Sequence, residues 1–126
     1  MILFLIFGVI AGIIAGVSKA VRDTLAHHFE ESIFRNLNPL FWNPVLSGGN
    51  KWKNGDESQG EKFLFSSTLW VAVTEGWHVF EMLNVFCLYL SAGFMVFYMG
   101  LWGAVISRII YGISFTIAYK YFKIKK

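Results

Sequence analysis

The sequence predicts an all-α integral membrane protein with three transmembrane helices, an extended first helix and an ordered cytoplasmic loop. Two observations carry that reading: charge is scarce, and uncharged residues come in runs long enough to cross a bilayer. Of the 126 residues, 15% are charged and 56% hydrophobic. An ordinary soluble domain is about 25% charged and at most about half apolar. The mean hydropathy is +0.53. Met1 to Ser18 carries no charge. At about 1.5 Å per residue it spans roughly 27 Å, close to a hydrocarbon core of about 30 Å. Met82 to Ser107 is uncharged, and after Arg108 the run resumes from Ile109 to Tyr119. That stretch is too long for one crossing and suits two.

Taken in order, the elements form a single membrane domain over 1–126. Lys19 to Phe34 has no Pro or Gly, so helix one is expected to run past the membrane over about 1–34. A cleaved signal peptide is the rival reading of the first segment, but it lacks a basic leading region and Ser18-Lys19-Ala20 is a poor cleavage site. Gly8, Gly12, Gly16 and Ala20 repeat every four residues, a small-residue stripe that lets another helix approach closely, inside the chain or as a homo-oligomer seam. Residues 35–68 form the loop, with two Asn-Pro pairs, the turn signals Ser47-Gly48-Gly49-Asn50 and Asn54-Gly55-Asp56, and interleaved Phe41, Trp42 and Trp52. A flexible linker has no need of such bulky residues, so the loop is expected to be ordered against the membrane face. Helix two is placed at 69–92, with Ser66-Ser67-Thr68 capping its start. Gly93 to Gly100 holds the break, and helix three covers 101–120. Trp70, Trp77, Trp102 and Tyr119 fall near helix ends, as interfacial aromatics do.

Charge excludes some functions and sets an orientation. Eleven Lys and Arg against eight Asp and Glu leave only +3, too mild for a nucleic-acid surface. The lone cysteine, Cys87, excludes a disulfide framework or a Cys-based zinc cluster. Lys19 and Arg22 follow helix one, while Lys120, Lys123, Lys125 and Lys126 follow helix three. With three crossings these charges share one side. The positive-inside rule then places the N-terminus outside and the loop and C-terminus in the cytoplasm, in a bacterial inner membrane. Membrane lipid is the expected surrounding partner.

Two groups of residues can carry chemistry. Asp23, His27 and Glu31 step by four on helix one, with His28 beside them, while Glu75, His78 and Glu81 step by three on helix two. Glu75-x-x-His78 has the spacing of helical di-metal carboxylate ligands, and His28-x-x-Glu31 reverses it. Asp23, His27, His28, Glu75 and His78 are therefore candidate ligands for zinc, iron or manganese. A metal there can acidify a bound water, with Glu31 or Glu81 as general base. The bland alternative is a polar network that fixes helix packing. Glu81 and Arg108 each lie about twelve residues, roughly 18 Å, in from the cytoplasmic ends of helices two and three, and are expected to pair because an unpaired Arg at that depth is costly. In the loop, Lys51, Lys53 and Asp56 can hold a lipid headgroup or phosphate, with ordinary turn chemistry as the default.

Phe41-Trp42-Asn43-Pro44, Asn50-Lys51-Trp52-Lys53-Asn54-Gly55-Asp56, Gly60-Glu61-Lys62-Phe63 and Thr74-Glu75-Gly76-Trp77-His78 together resemble a family of small bacterial and phage integral membrane proteins with no assigned activity. The resemblance covers roughly 18–82. It implies a short N-terminal membrane helix, an Asp and His cluster after it, and a Trp-His on the next helix. Many members carry Asp where Glu75 stands, which keeps a carboxylate there. The resemblance ties the loop and Trp77-His78 into one unit and transfers no function.

The sequence thus supports a metal-dependent hydrolase of a lipid or lipid-linked substrate. The alternative is a non-enzymatic membrane protein: a holin-like pore, a scaffold or a metal-binding protein.

Overall fold

The computed structural model describes residues 2–124, and among them the chain is helical with no strand. The elements are α1 (Ile2–His28), a short α2 (Pro39–Trp42), α3 (Gly76–Met99) and α4 (Leu101–Phe122), with several 3-10 turns between α1 and α3. Helices α1, α3 and α4 are long and apolar enough to cross a membrane. These three helices make the chain a membrane protein by length and composition, and its outer surface, from Phe4 and Phe7 to Phe86, Phe97 and Ile117, is apolar and exposed, as a lipid-facing surface is. Met1, Lys125 and Lys126 lie outside the described residues.

Lipid supplies no hydrophobic drive between helices, so association depends on close packing. The glycine stripe of α1 provides it. A Cβ on Gly8 would stand 2.8 Å from the Met95 side chain, and one on Gly12 would stand 2.9 Å from Ser91 Oγ. At Gly16 it would stand 2.5 Å from the Tyr111 carbonyl oxygen. Gly8, Gly12 and Gly16 therefore face α3 and α4 of their own chain, and are not an open seam for a second copy. Ala11, Ala15, Cys87 and Tyr111 fill the space between the same helices. Ser91 donates to the Gly8 carbonyl at 2.8 Å and lies 2.8 Å from Ser107 Oγ, so all three helices meet in one polar contact.

A single residue joins α3 to α4. Gly100 adopts φ +64, where a side chain is strained, and its N–H reaches the Val96 carbonyl at 2.8 Å. We refer to this side of the bundle as the turn end. The expected break over 93–100 narrows to that residue, since Gly93 is helical.

The opposite, loop end carries a second core. Val21, Leu25, Phe29 and Phe34 are buried together, with Trp42, Trp77, Phe80 and Phe122 packed on them. Phe34 stacks on Trp42 at 5.1 Å and 4°, and Phe122 closes on Phe34 at 5.1 Å. The loop thus packs an aromatic plug across the ends of the helices.

Two boundaries differ from the sequence expectation. The first helix stops at His28 instead of reaching 34, and two 3-10 turns, Phe29–Glu31 and Ile33–Asn36, follow. Ser32 is the reason: its extended backbone breaks the helix, and its side chain donates to the Phe29 carbonyl and accepts from Phe34 N–H. Helix two begins at Gly76, not at 69. The Glu61 carboxylate caps the Phe65 and Ser67 N–H groups. Ser66 Oγ donates to the Lys51 carbonyl at 2.7 Å, and Asn50 Nδ2 donates to the Thr74 carbonyl at 2.5 Å. These ties hold 61–74 in turns, so Ser66 and Ser67 bind the loop instead of capping a helix.

Candidate functional site

The seven-residue shift of α3 decides where the charges meet. Glu81 is only five residues, about 7.5 Å, from the start of α3, not about 18 Å deep. It comes level with Arg22 on α1. Arg22 Nε lies 3.4 Å from Glu81 Oε2, and Arg22 Nη1 donates to Asp23 Oδ1 at 2.7 Å. Lys19 Nζ donates to the same oxygen at 2.8 Å. Asn84, one turn after Glu81, donates to Glu81 Oε2 at 3.4 Å, and its own buried Oδ1 has no partner among the described residues. The result is a chain of charge, Lys19–Asp23–Arg22–Glu81–Asn84, along the α1–α3 seam.

Arg108 is not part of it. Fourteen residues separate it from Phe122, about 21 Å along α4, so Glu81 is out of reach. Among the described residues no ion pair joins Arg108 to Glu81. The Arg108 guanidinium lies over the Tyr111 ring instead, 4.6 Å from its centre.

The second histidine group is local. Glu75 caps α3 in an extended conformation and is largely buried. Its Oε2 accepts from Trp77 Nε1 at 3.1 Å and stands 3.0 Å from His78 Nδ1. Trp77 and His78 stack at 3.7 Å. Gly76 allows this: a Cβ there would stand 2.9 Å from the Phe41 carbonyl, so the loop and the start of α3 interlock.

His27 and His28 occupy a third place. Both line an open cavity of about 480 Å³ at the loop end, with Glu30, Glu31, Asn43 and Val45. His28 also meets the Tyr119 ring edge-on at 5.9 Å, and Lys123 Nζ lies 4.3 Å from the centre of that ring. Because α1 ends at His28, Glu31 leaves the helical face that the four-residue spacing assigned to it. Among the described residues, no three His, Cys, Asp or Glu side chains are grouped so as to hold a metal ion. The candidate ligands separate into Asp23 in the charge seam, His27 and His28 at the cavity, and Glu75 with His78 at the start of α3. Arg22, Lys19 and Asn84 were absent from the sequence-based site. The sequence signal for Asn84 is its three-residue spacing from Glu81, and Arg22 carries in the sequence only the signal of an orientation charge.

Lys51, Lys53 and Asp56 build a turn. Lys53 N–H donates to the Gly60 carbonyl at 3.0 Å, and Lys62 N–H to the Lys51 carbonyl at 2.9 Å, with Asn54 and Gly55 at positive φ between them. Bonds from the Ser58 hydroxyl, the Gln59 amide and the Ser58 N–H hold the Asp56 carboxyl below the usual carboxylate range. The Ser67 hydroxyl and N–H, with the Phe65 N–H, do the same for Glu61. Both groups bind a proton more weakly when folded. Their support is therefore complete above the ordinary carboxylate range and is lost as pH falls through the lowered values. Amide-exchange protection over 53–68 should fall in that acid window, whereas an Asp56→Asn/Glu61→Gln variant should show no such step. An identical step in the variant would place the acid-sensitive contacts elsewhere.

No protein-family model, curated protein or solved structure matches this chain.

Proposed function

We propose that this chain is a non-catalytic membrane scaffold, with its His and carboxylate residues acting as a polar packing network. One observation carries the reading: the carboxylates of the spanning helices, Asp23 and Glu81, are neutralised by Lys19 and Arg22 of the same chain. A carboxylate held by a guanidinium is a poor metal ligand and a poor general base. The aromatic plug adds to it, since a rigid cap suits a protein that presents a fixed surface. The orientation we propose has the N-terminus outside and the loop end in the cytoplasm of a bacterium, in the inner membrane. It is supported by Lys51, Lys53, Lys62, Lys120 and Lys123, which gather at the loop end. The resemblance to small bacterial and phage membrane proteins is consistent with this location and adds no activity.

A metal-dependent hydrolase of a lipid or lipid-linked substrate is the second reading. It is favoured by the open cavity that His27 and His28 line beside Glu30 and Glu31. Elemental analysis of the detergent-purified protein separates the two. The scaffold reading expects less than about a tenth of an equivalent of zinc, iron or manganese, even after metal is offered back. About one equivalent, lost in a His27→Ala/His78→Ala variant, would overturn the packing reading and establish a metal site, whose hydrolase activity is then tested on lipid substrates.

A further inference from the structure

Away from the helix ends, the spanning helices carry Lys19, Arg22 and Arg108 against Asp23 and Glu81. Among the described residues one cation is left over, and the geometry identifies it as Arg108. It lies seven residues, about 10 Å, from the turn end of α4 and about 21 Å from the loop end. It is exposed on the lipid-facing side, and among the described residues its guanidinium meets only the Tyr111 ring. A charge at that depth is costly in lipid and usually faces protein or water.

The surface around it is open to a neighbour. Ala104, Arg108, Gly112 and Thr116 follow one another at steps of four, so the residues flanking the charge are small. Nothing lies within 4 Å of where a Gly112 Cβ would stand. Arg108 stands between two hollows: one of about 340 Å³ shared with Lys19, Tyr111 and Phe115, and one of about 440 Å³ over Ala104, Val105 and Ile109.

We infer that this face of α4 docks a transmembrane helix of another protein, one bearing an Asp or Glu at the depth of Arg108. A second copy of this chain does not fit. Pairing through α4 would set Arg108 against Arg108, and the copy's own Asp23 and Glu81 are already paired and lie nearer the loop end. A lipid headgroup fits less well, because lipid phosphates lie at the membrane boundary and the guanidinium is held over the Tyr111 ring. This inference rests on the scaffold reading and names the chemistry of its partner; the two fail separately, one on metal content and the other on partner charge.

The test uses the full chain in phosphatidylcholine vesicles at pH 8. The probe is a fluorescent leucine-rich single-span peptide carrying one central Glu, with a Gln peptide as control. Energy transfer to an acceptor at the C-terminus of the chain reads association. The Glu peptide should bind about tenfold tighter than the Gln peptide. The preference should vanish in Arg108→Gln, while that variant keeps the helix content and melting temperature of the wild type. Equal binding of both peptides would overturn the proposal, as would a Glu preference that survives Arg108→Gln. So would Arg108-dependent enrichment of phosphatidylglycerol without a Glu preference, which would assign the site to lipid. Arg108-dependent self-association would assign it to a second copy.

Discussion

Gly16→Leu is expected to abolish the folded bundle in detergent. The reason is the position of the backbone beside Gly16. Any Cβ there would lie 2.5 Å from the Tyr111 carbonyl oxygen, 2.8 Å from Ser114 Cβ and 2.9 Å from Phe115 N. Two of these atoms are backbone of α4, so relief requires the helices to separate. Separation also opens the contacts of Ala11, Ala15, Cys87 and Tyr111. Overpacking usually costs about 1–3 kcal/mol; Gly16→Ala should fall in that range, and leucine should exceed it. Two controls keep the argument specific. Gly8→Ala meets the middle of the buried Met95 side chain at 2.8 Å and no backbone, so it should cost about 1 kcal/mol and less than Gly16→Ala. Gly112→Ala meets nothing within 4 Å and should be neutral to within about 0.5 kcal/mol. Reversible unfolding of the purified variants reads all four. Wild-type stability of Gly16→Leu would mean that α1 and α4 do not pack as described.

Arg22→Gln has the next largest expected effect. The guanidinium donates to Asp23 on its own helix and lies 3.4 Å from the Glu81 carboxylate on α3, a charge contact without a hydrogen bond. Without it, Asp23 keeps Lys19 at 2.8 Å, but Glu81 keeps only the long contact from Asn84. Removing one partner strands a charge, but the Arg22 and Glu81 side chains are 28% and 36% exposed, so the penalty is smaller than for a fully buried pair. Polar contacts between membrane helices average about 0.6 kcal/mol and reach about 1.7. With the part-exposed carboxylate left unpaired, a loss of about 0.5–2 kcal/mol is expected, read as a lowered unfolding midpoint. Part of it should return when Glu81→Gln is added.

The architecture was legible where its cause is local. Runs without charge gave the three crossings, the four-residue glycine stripe gave the close seam, and the interleaved aromatics gave an ordered loop. The register of α3 was not legible, because distant residues set it: Asn50 on the Thr74 carbonyl, Ser66 on the Lys51 carbonyl and Gly76 against Phe41. Local composition favoured a start near Leu69, since Phe63 to Thr74 is as uncharged as the helix itself. That one error propagated into the site. A start seven residues early puts Glu81 level with Arg108, and the true start puts it level with Arg22. The histidine groups show a similar limit. Their spacings placed them on helical faces, but Ser32 ends the first face before Glu31 joins it.

The same register explains why Arg108 is left over. Helix α3 offers one carboxylate to the seam, and Arg22 takes it. The chain thus combines a self-neutralised seam near the loop end with an unneutralised cation deeper on α4, and the scaffold reading connects the two.

The most direct test of that reading is a double-mutant cycle on Arg22 and Glu81, with unfolding free energies measured for wild type, Arg22→Gln, Glu81→Gln and the pair. A favourable coupling of about 0.5–2 kcal/mol is predicted, with the double variant more stable than the sum of the single losses. Additivity to within about 0.3 kcal/mol, with single variants as stable as wild type, would contradict the account. It would mean that Glu81 is not held by Arg22 and that its carboxylate is available for other chemistry.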